Sequence, residues 1–102
     1  MEPAQPPLPV VWTDEAKAQL DDIFQYVARR SPRYARRVVD RLTRRSERIA
    51  DFPMAGRAVP EVALPQLREV VEGPYRLVYH LRPDRIDVVA VFHGARQSPW
   101  TG

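Results

Sequence analysis

Four residues in the last third of the chain carry side chains suited to acid–base or anion chemistry. They are a carboxylate, two guanidinium groups and an imidazole: Glu69, Arg76, Arg96 and His93. A carboxylate or an imidazole can transfer a proton, and arginine presents a planar fork that fits phosphate or carboxylate. Whether the four residues act together depends on the strands that carry them.

Three segments rich in β-branched and aromatic residues predict an antiparallel meander over residues 67–72, 75–81 and 86–93. Gly73 and Pro74 separate the first two strands, and the turn 82–85 separates the last two. If that turn closes a regular hairpin, one face of the sheet is wholly apolar and packs on helices. The pairs on this face are Leu81 with Ile86, Tyr79 with Val88, Leu77 with Ala90, and Tyr75 with Phe92.

The same register predicts that the chemistry-bearing residues gather on the opposite face. It places Glu69 opposite Val78 and His93 diagonal to Arg76, about 7 to 8 Å apart at the backbone. The remaining pairs are Val78 with Val89, Arg76 with Val91, and His80 with Asp87. Each residue also has a simpler interpretation: His93 as a surface imidazole, Glu69 and Arg76 as a cross-strand ion pair, and Arg96 as an exposed tail residue.

An apolar patch is expected on this same face. It consists of four valines, and no remaining stretch of chain looks long enough to cover it, so we expect a partner or a substrate to do so. The four are Val71, Val78, Val89 and Val91.

The first half of the chain predicts a short strand and a helix hairpin. The segment "LPVVW" (8–12) is an extended stretch, and Thr13 with Asp14 and Glu15 marks a helix start, predicting a helix over 14–29. Ser31 and Pro32 begin a second helix after a tight connection, and it ends before Pro53. Residues 51–65 are expected to form a functional loop. The fold class is α+β: an N-terminal strand, an antiparallel helix hairpin and a three-stranded antiparallel meander that form a small twisted sheet.

Composition narrows the function classes. The chain has 102 residues, no cysteine and two histidines, so we expect no metal site and no cofactor. The longest apolar run, Val88 to Phe92, is far shorter than a membrane span, and the acidic, proline-rich start is unlike a signal peptide. We therefore expect a cytoplasmic protein without a membrane partner. Residues 1–7 are expected to be a disordered or extended leader, and 8–98 a single domain.

The basic residues are almost all arginine. Fifteen arginines and Lys17 stand against thirteen acids, for a net charge of +3. This excess permits an anionic partner, although an Arg-, Pro- and Ala-rich chain is also what genome base composition alone can produce.

Five segments in order resemble the RelE/ParE superfamily of bacterial type II toxin–antitoxin toxins. They cover nearly the whole domain: "WTDEAKAQLDDIFQYV" (12–27), Pro53 and Gly56 with Arg57, "LREV" (67–70), "YRLVYHL" (75–81) and "VVAVFHGAR" (88–96). The "LRE" and "HGAR" segments look more like the ParE branch. The resemblance implies a helix hairpin on a small antiparallel sheet.

Two activities compete within that superfamily. RelE-like members are ribosome-dependent endonucleases that cut mRNA, whereas ParE-like members inhibit DNA gyrase. Arg76 and Arg96 match catalytic arginines of the RelE-like motif, and Glu69 with His93 could supply the acid and the base. The chain departs from that motif in having Leu67 and Glu69 where it carries two lysines, and Trp100 where it carries a tyrosine.

The resemblance therefore implies a ParE-like gyrase inhibitor, with a RelE-like nuclease as the alternative. Its partners would be a cognate antitoxin, ParD-like or similar, and either gyrase or the ribosome with its mRNA. A generic basic nucleic-acid-binding domain is a weaker alternative, because the arginines lie mainly along one helix and no aromatic stacking platform is evident. The residues expected to bind the target or the antitoxin are Arg57, Arg68, Arg76, Val78, Val89, Val91, His93 and Arg96.

Overall fold

The computed structural model of the chain describes residues 7–95. Arg96 and most of the leader predicted at 1–7 lie outside this range. The elements in chain order are β1 (Val10–Trp12), α1 (Asp14–Ala28), α2 (Pro32–Ile49), β2 (Arg57–Ala58), β3 (Leu67–Glu72), β4 (Tyr75–Leu81) and β5 (Ile86–His93). The predicted α+β fold is confirmed.

Side-chain caps begin both helices where the sequence predicts. The Thr13 hydroxyl oxygen accepts the backbone N–H of Ala16 at 3.1 Å, and that of Ser31 accepts the N–H of Tyr34 at 3.1 Å. Each cap satisfies a backbone donor that has no partner inside its helix. Pro32 occupies the first turn of α2, where its missing N–H costs nothing. α1 and α2 pack against each other across the short connection 29–31, as the predicted hairpin requires.

Within the described residues, the sheet has five strands in the order β1-β5-β4-β3-β2. β3, β4 and β5 form the predicted antiparallel meander, and β1 pairs in parallel with β5. The predicted loop 51–65 contains one element that the sequence did not indicate. Its residues Arg57 and Ala58 form β2 and pair antiparallel with Glu69 and Arg68.

A β-bulge in β5 changes the predicted register. The pairs of Leu81, His80 and Tyr79 with Ile86, Asp87 and Val88 are as expected, but the register then shifts by one residue. The pairs beyond the bulge are Val78 with Ala90, Leu77 with Val91, Arg76 with Phe92, and Tyr75 with His93.

The predicted pairs of Val78, Leu77, Arg76 and Tyr75 are therefore wrong. A one-residue shift in a strand exchanges the faces of every side chain beyond it. Val91 accordingly joins the apolar cluster on the helix side, and Ala90 and Phe92 join the cluster on the opposite side.

The sheet has an apolar layer on each face. On the helix face, α2 residues pack with the inward residues of β4 and β5; buried members include Val38, Leu42, Ile49, Leu77, Tyr79, Ile86 and Val88. The opposite, outer face carries a smaller cluster of Val59, Leu67, Val78, Ala90 and Phe92. Within residues 7–95, neither helix is long and apolar enough to span a membrane.

Candidate functional site

Four charged side chains on the outer face form one network, here called the ionic cluster: Arg57, Glu61, Glu69 and Arg76. Glu69 is at its centre and accepts from Arg57 Nε at 2.5 Å and from Arg76 Nε at 2.8 Å. The two terminal nitrogens of Arg76 also donate to the two carboxylate oxygens of Glu61, each at 2.7 Å. The cluster thus alternates positive and negative groups and has no net charge.

The ionic cluster is closed to solvent at its centre and open at Arg57, whose side chain is 63 % exposed. The Glu69 side chain has no exposed surface, and the Arg76 side chain is 13 % exposed. The Arg76 guanidinium also lies 5.0 Å above the ring of Phe92. The hydrogen bond to Glu61, opposed by desolvation and aided by Glu69, raises the pKa of Arg76 above its already high value. Arg76 is therefore permanently charged and already occupied by two carboxylates.

The loop between α2 and β3 covers this cluster. We call residues 50–66 the covering loop. The Tyr79 hydroxyl fixes its first half by donating to the carbonyl of Pro53 at 2.7 Å and accepting the N–H of Gly56 at 3.1 Å. Burial raises the pKa of Tyr79, which keeps this phenol a donor. Arg68 Nη1 adds a hydrogen bond to the Gly56 carbonyl at 2.7 Å.

Close contact explains why glycine stands at position 56. A Cβ there would overlap the Tyr79 hydroxyl and approach the Glu69 carbonyl oxygen to 2.8 Å. The Pro53, Gly56 and Arg57 spacing thus has a physical reason: one carbonyl for Tyr79, one close approach, and one cation for Glu69.

The predicted apolar patch is mostly covered, so the expectation that no chain remained to cover it was wrong. Val78 is 0 % exposed because Val59 and Val62 of the covering loop pack over that face. Val89 is half-buried at the same layer, and Val91 is 1 % exposed on the helix side. Of the four valines only Val71 remains open to solvent, at 52 %.

His93 lies on the helix side of the sheet, away from Arg76, because of the bulge. Its ring meets that of Tyr75 edge to face at 5.7 Å, and its Nδ1 accepts the N–H of Ala95 at 3.3 Å. The predicted convergence of Glu69, Arg76 and His93 is therefore wrong for His93 and right for the other two.

A groove of about 430 Å³ opens beside His93, between α1 and the ends of β4 and β5. β1 pairs with β5 only as far as Val88. Beyond that pair, the Gln19 side-chain oxygen accepts the backbone N–H of Val91 at 2.9 Å. The other lining residues combine aromatic, charged, amide and aliphatic side chains: Asp22, Ile23, Gln25, Tyr26, Arg29 and Tyr75. We call this the α1 groove.

Sequence reasoning missed Glu61, which supplies half of the partners of Arg76. A lone acid between Pro60 and Val62 in an irregular segment carries no pattern that predicts where it folds. Among residues 7–95 no three acidic or histidine side chains gather as a metal site would require. The geometry offers buried ion pairing on one face of the sheet and an open, mixed groove on the other.

Sequence comparison assigns the family. The model of the ParE toxin of the type II toxin–antitoxin system parDE matches residues 10–98. The chain belongs to this toxin family. A related protein, toxin RelE2 of Caulobacter vibrioides, is 36 % identical over 88 residues, which cover 85 % of this chain and 96 % of that one.

Solved structures of two toxin–antitoxin systems share the fold of this ParE-family toxin. The chromosomal ParDE system of P. aeruginosa aligns with a TM-score of 0.71 at 20 % identity, over 84 % of this chain and 95 % of that chain. The RelBE2 toxin–antitoxin complex of Mycobacterium tuberculosis aligns with a TM-score of 0.58 at 21 % identity, over 86 % and 99 % respectively.

Proposed function

We propose that this toxin inhibits DNA gyrase without cutting RNA, and that a cognate antitoxin neutralises it. The single observation that carries this proposal is the separation of the nuclease candidates. Glu69 and Arg76 are enclosed in the ionic cluster on the outer face, whereas His93 lies beside the α1 groove.

Cleavage of RNA by its own 2′-hydroxyl needs a base, an acid and cations around one phosphorus atom. A Glu69 carboxylate without exposed surface and hydrogen-bonded to two arginines cannot reach a hydroxyl of a bound chain. Arg76 would have to release Glu61 before it could hold a phosphate. The enclosure of Glu69 and the pairing of Arg76 with Glu61 therefore favour the activity of the ParE branch, which does not involve RNA cleavage.

A RelE-like endonuclease is the second candidate, since one relative is named toxin RelE2. That function would use Glu69, Arg76, His93 and Arg96. It would require the covering loop to open and His93 to act from another side of the substrate.

Two assays on one preparation separate the candidates. Purified toxin is added to gyrase with relaxed plasmid, and to a translating ribosome system in which mRNA ends are mapped. We expect supercoiling to stop and the mRNA to remain intact, and added antitoxin to restore supercoiling. Codon-positioned cleavage that is lost in both His93→Ala and Arg76→Lys would establish the nuclease instead. If the toxin affects neither supercoiling nor the mRNA, both candidate functions are excluded.

For the antitoxin we propose the α1 groove as one contact. An amphipathic acidic segment would place apolar side chains against Tyr26 and Tyr75 and an acid near Arg29. Arg57, whose side chain is 63 % exposed, and Val71 offer further contacts on the outer face. The binding roles of Arg68, Arg76, Val78, Val89, Val91 and Arg96 remain predictions.

The chain provides a matched pair of variants for this contact. Tyr26 in the α1 groove is 53 % exposed, and Tyr34 in the first turn of α2 is 50 % exposed. We expect Tyr26→Glu to weaken antitoxin binding at least tenfold in a titration, and Tyr34→Glu to change it less than twofold. Equal effects from both variants would exclude the groove.

A further inference from the structure

One face of α2 carries an unusually regular row of positive charge. Arg33, Arg37, Arg41, Arg44 and Arg48 follow one another at intervals of four, four, three and four residues. At 3.6 residues per turn these five positions fall within an arc of about 80°, and at 1.5 Å per residue the row is about 22 Å long. We call it the arginine stripe.

The stripe faces away from the core. All five side chains belong to exposed residues, and the buried residues of α2, which include Val38, Leu42 and Ile49, lie on the opposite side of the helix. The protein's own packing therefore does not require arginine at these positions.

The charges of the stripe are also almost unneutralised. Among residues 7–95, only Arg44 of the five forms an ion pair, with Asp40 at 3.2 Å. That pair is more than half exposed on both sides, so it contributes little. Neighbouring arginines four residues apart repel each other, and Arg33 lies in the first turn of α2, where the helix dipole disfavours a cation. A polyanion on this face would relieve both unfavourable terms.

The uneven distribution of charge along the chain also favours a polyanion as the partner of α2. Residues 29–48 hold nine arginines against two acids, whereas the rest of the chain holds seven basic residues against eleven acids. A net charge of +3 thus conceals a strongly positive helix on an otherwise acidic protein. Such an asymmetry orients an approaching polyanion toward one surface.

We infer that the arginine stripe binds the phosphate backbone of duplex DNA. A protein partner would normally find an apolar anchor, but Tyr34 is the only large exposed hydrophobic residue of α2 within the described range. A single strand would need aromatic stacking, which the stripe lacks. The choice of DNA over RNA rests on the proposed gyrase function, because gyrase acts while holding duplex DNA.

The test measures binding of purified toxin to a fluorescein-labelled 20-base-pair DNA duplex by anisotropy at several salt concentrations, with no gyrase present. Non-specific phosphate binding predicts a Kd of about 1 to 100 μM at physiological salt. The variant Arg37→Ala/Arg41→Ala/Arg48→Ala should make the slope of log K against log salt shallower by about 2.5 to 3, at about 0.9 per lost contact. Alanine preserves the helix, and a glutamine triple serves as a second variant.

The matched control removes the same charge elsewhere. Lys17, Arg30 and Arg36 are exposed and form no ion pair among residues 7–95, and Arg36 lies on α2 but off the stripe. We expect Lys17→Ala/Arg30→Ala/Arg36→Ala to retain most of the wild-type slope.

Equal slopes for the two triples would overturn the inference, since binding would then reflect net charge alone. Tighter binding of an RNA duplex than of the DNA duplex, or binding of poly-glutamate without binding of DNA, would also overturn it. The binding assay contains no gyrase, so it can detect DNA binding by the stripe even if the toxin has no effect on supercoiling. If the toxin does not bind DNA, the gyrase proposal is still decided by the supercoiling assay.

Discussion

The two faces of the sheet are closed by different forces. On the helix face, side chains of α1 and α2 cover β4 and β5 with an almost wholly apolar layer. On the outer face, the covering loop adds a smaller apolar cluster and the ionic cluster. An apolar layer has no charge to be titrated or screened, whereas the strength of an ionic cluster depends on pH and on the screening of its charges by salt. The covering loop is therefore the part of the fold that should open first.

The largest effect is expected on the helix face. Leu77 is fully buried between the helices and the sheet, so Leu77→Ala leaves a cavity and should lower the free energy of unfolding by about 2 to 5 kcal/mol. Denaturant unfolding measures this. The exposed Leu64→Ala should cost less than about 0.5 kcal/mol. A loss at Leu77 no larger than at Leu64 would contradict the assignment of the main core.

Glu69→Gln tests the ionic cluster. It removes a buried carboxylate that accepts from Arg57 and Arg76, and we expect a loss of about 2 to 3 kcal/mol, with Glu61 still holding Arg76. The control is Glu72→Gln on the same strand, whose contact with Arg45 is 3.9 Å long and partly exposed. That change should cost less than about 0.5 kcal/mol. Similar losses would show that the cluster contributes no more than a surface pair.

Gly56→Ala should loosen the covering loop where Tyr79 holds it, while β5 keeps its pairing in the sheet. The added methyl group has to displace the Tyr79 hydroxyl or the strand carbonyl of Glu69, which we expect to cost about 1 to 3 kcal/mol. Hydrogen exchange should quicken at the amides of residues 56–62 and stay unchanged at those of β5. Faster exchange throughout the sheet would mean that the loop and the sheet open as one unit.

The smallest effect concerns Asp87, which accepts from Arg82 at 2.7 Å and from Arg85 at 2.9 Å. These hydrogen bonds, from Arg82 first, hold the pKa of Asp87 below its usual value. Its contribution to stability is therefore full above the unfolded-state pKa of about 3.9 and is lost as pH falls through the lower folded-state pKa. Asp87→Asn should destabilise the protein slightly at pH 7, and the difference in the free energy of unfolding should shrink as the pH falls below the unfolded-state pKa. A difference that persists in acid would exclude this cause.

Much of the fold could be predicted from interactions between residues that are close in sequence. The caps Thr13 and Ser31, the apolar periodicity of α2 and the three strand segments all depend on neighbours within a few residues, and the structure confirms them. The pairing of Glu69 with Val78 also followed from a short turn. Part of the candidate site, the contact of Glu69 with Arg76, could be predicted for that reason.

What the sequence could not determine depends on contacts between distant residues. The bulge at Val89 has no local signal, because a run of valines fits either face of a sheet, yet it moves Val91 and His93 to the helix side. Glu61 lies in a loop whose position is fixed by Tyr79, 18 residues further along the chain. The Tyr79 hydroxyl holds that loop by its hydrogen bonds with Pro53 and Gly56. The sequence was enough to predict both helices and four of the five strands found within residues 7–95. Tertiary packing alone decided that Arg57 and Ala58 pair with β3 and which face each side chain occupies, because a one-residue shift costs nothing locally and is settled by what covers each face.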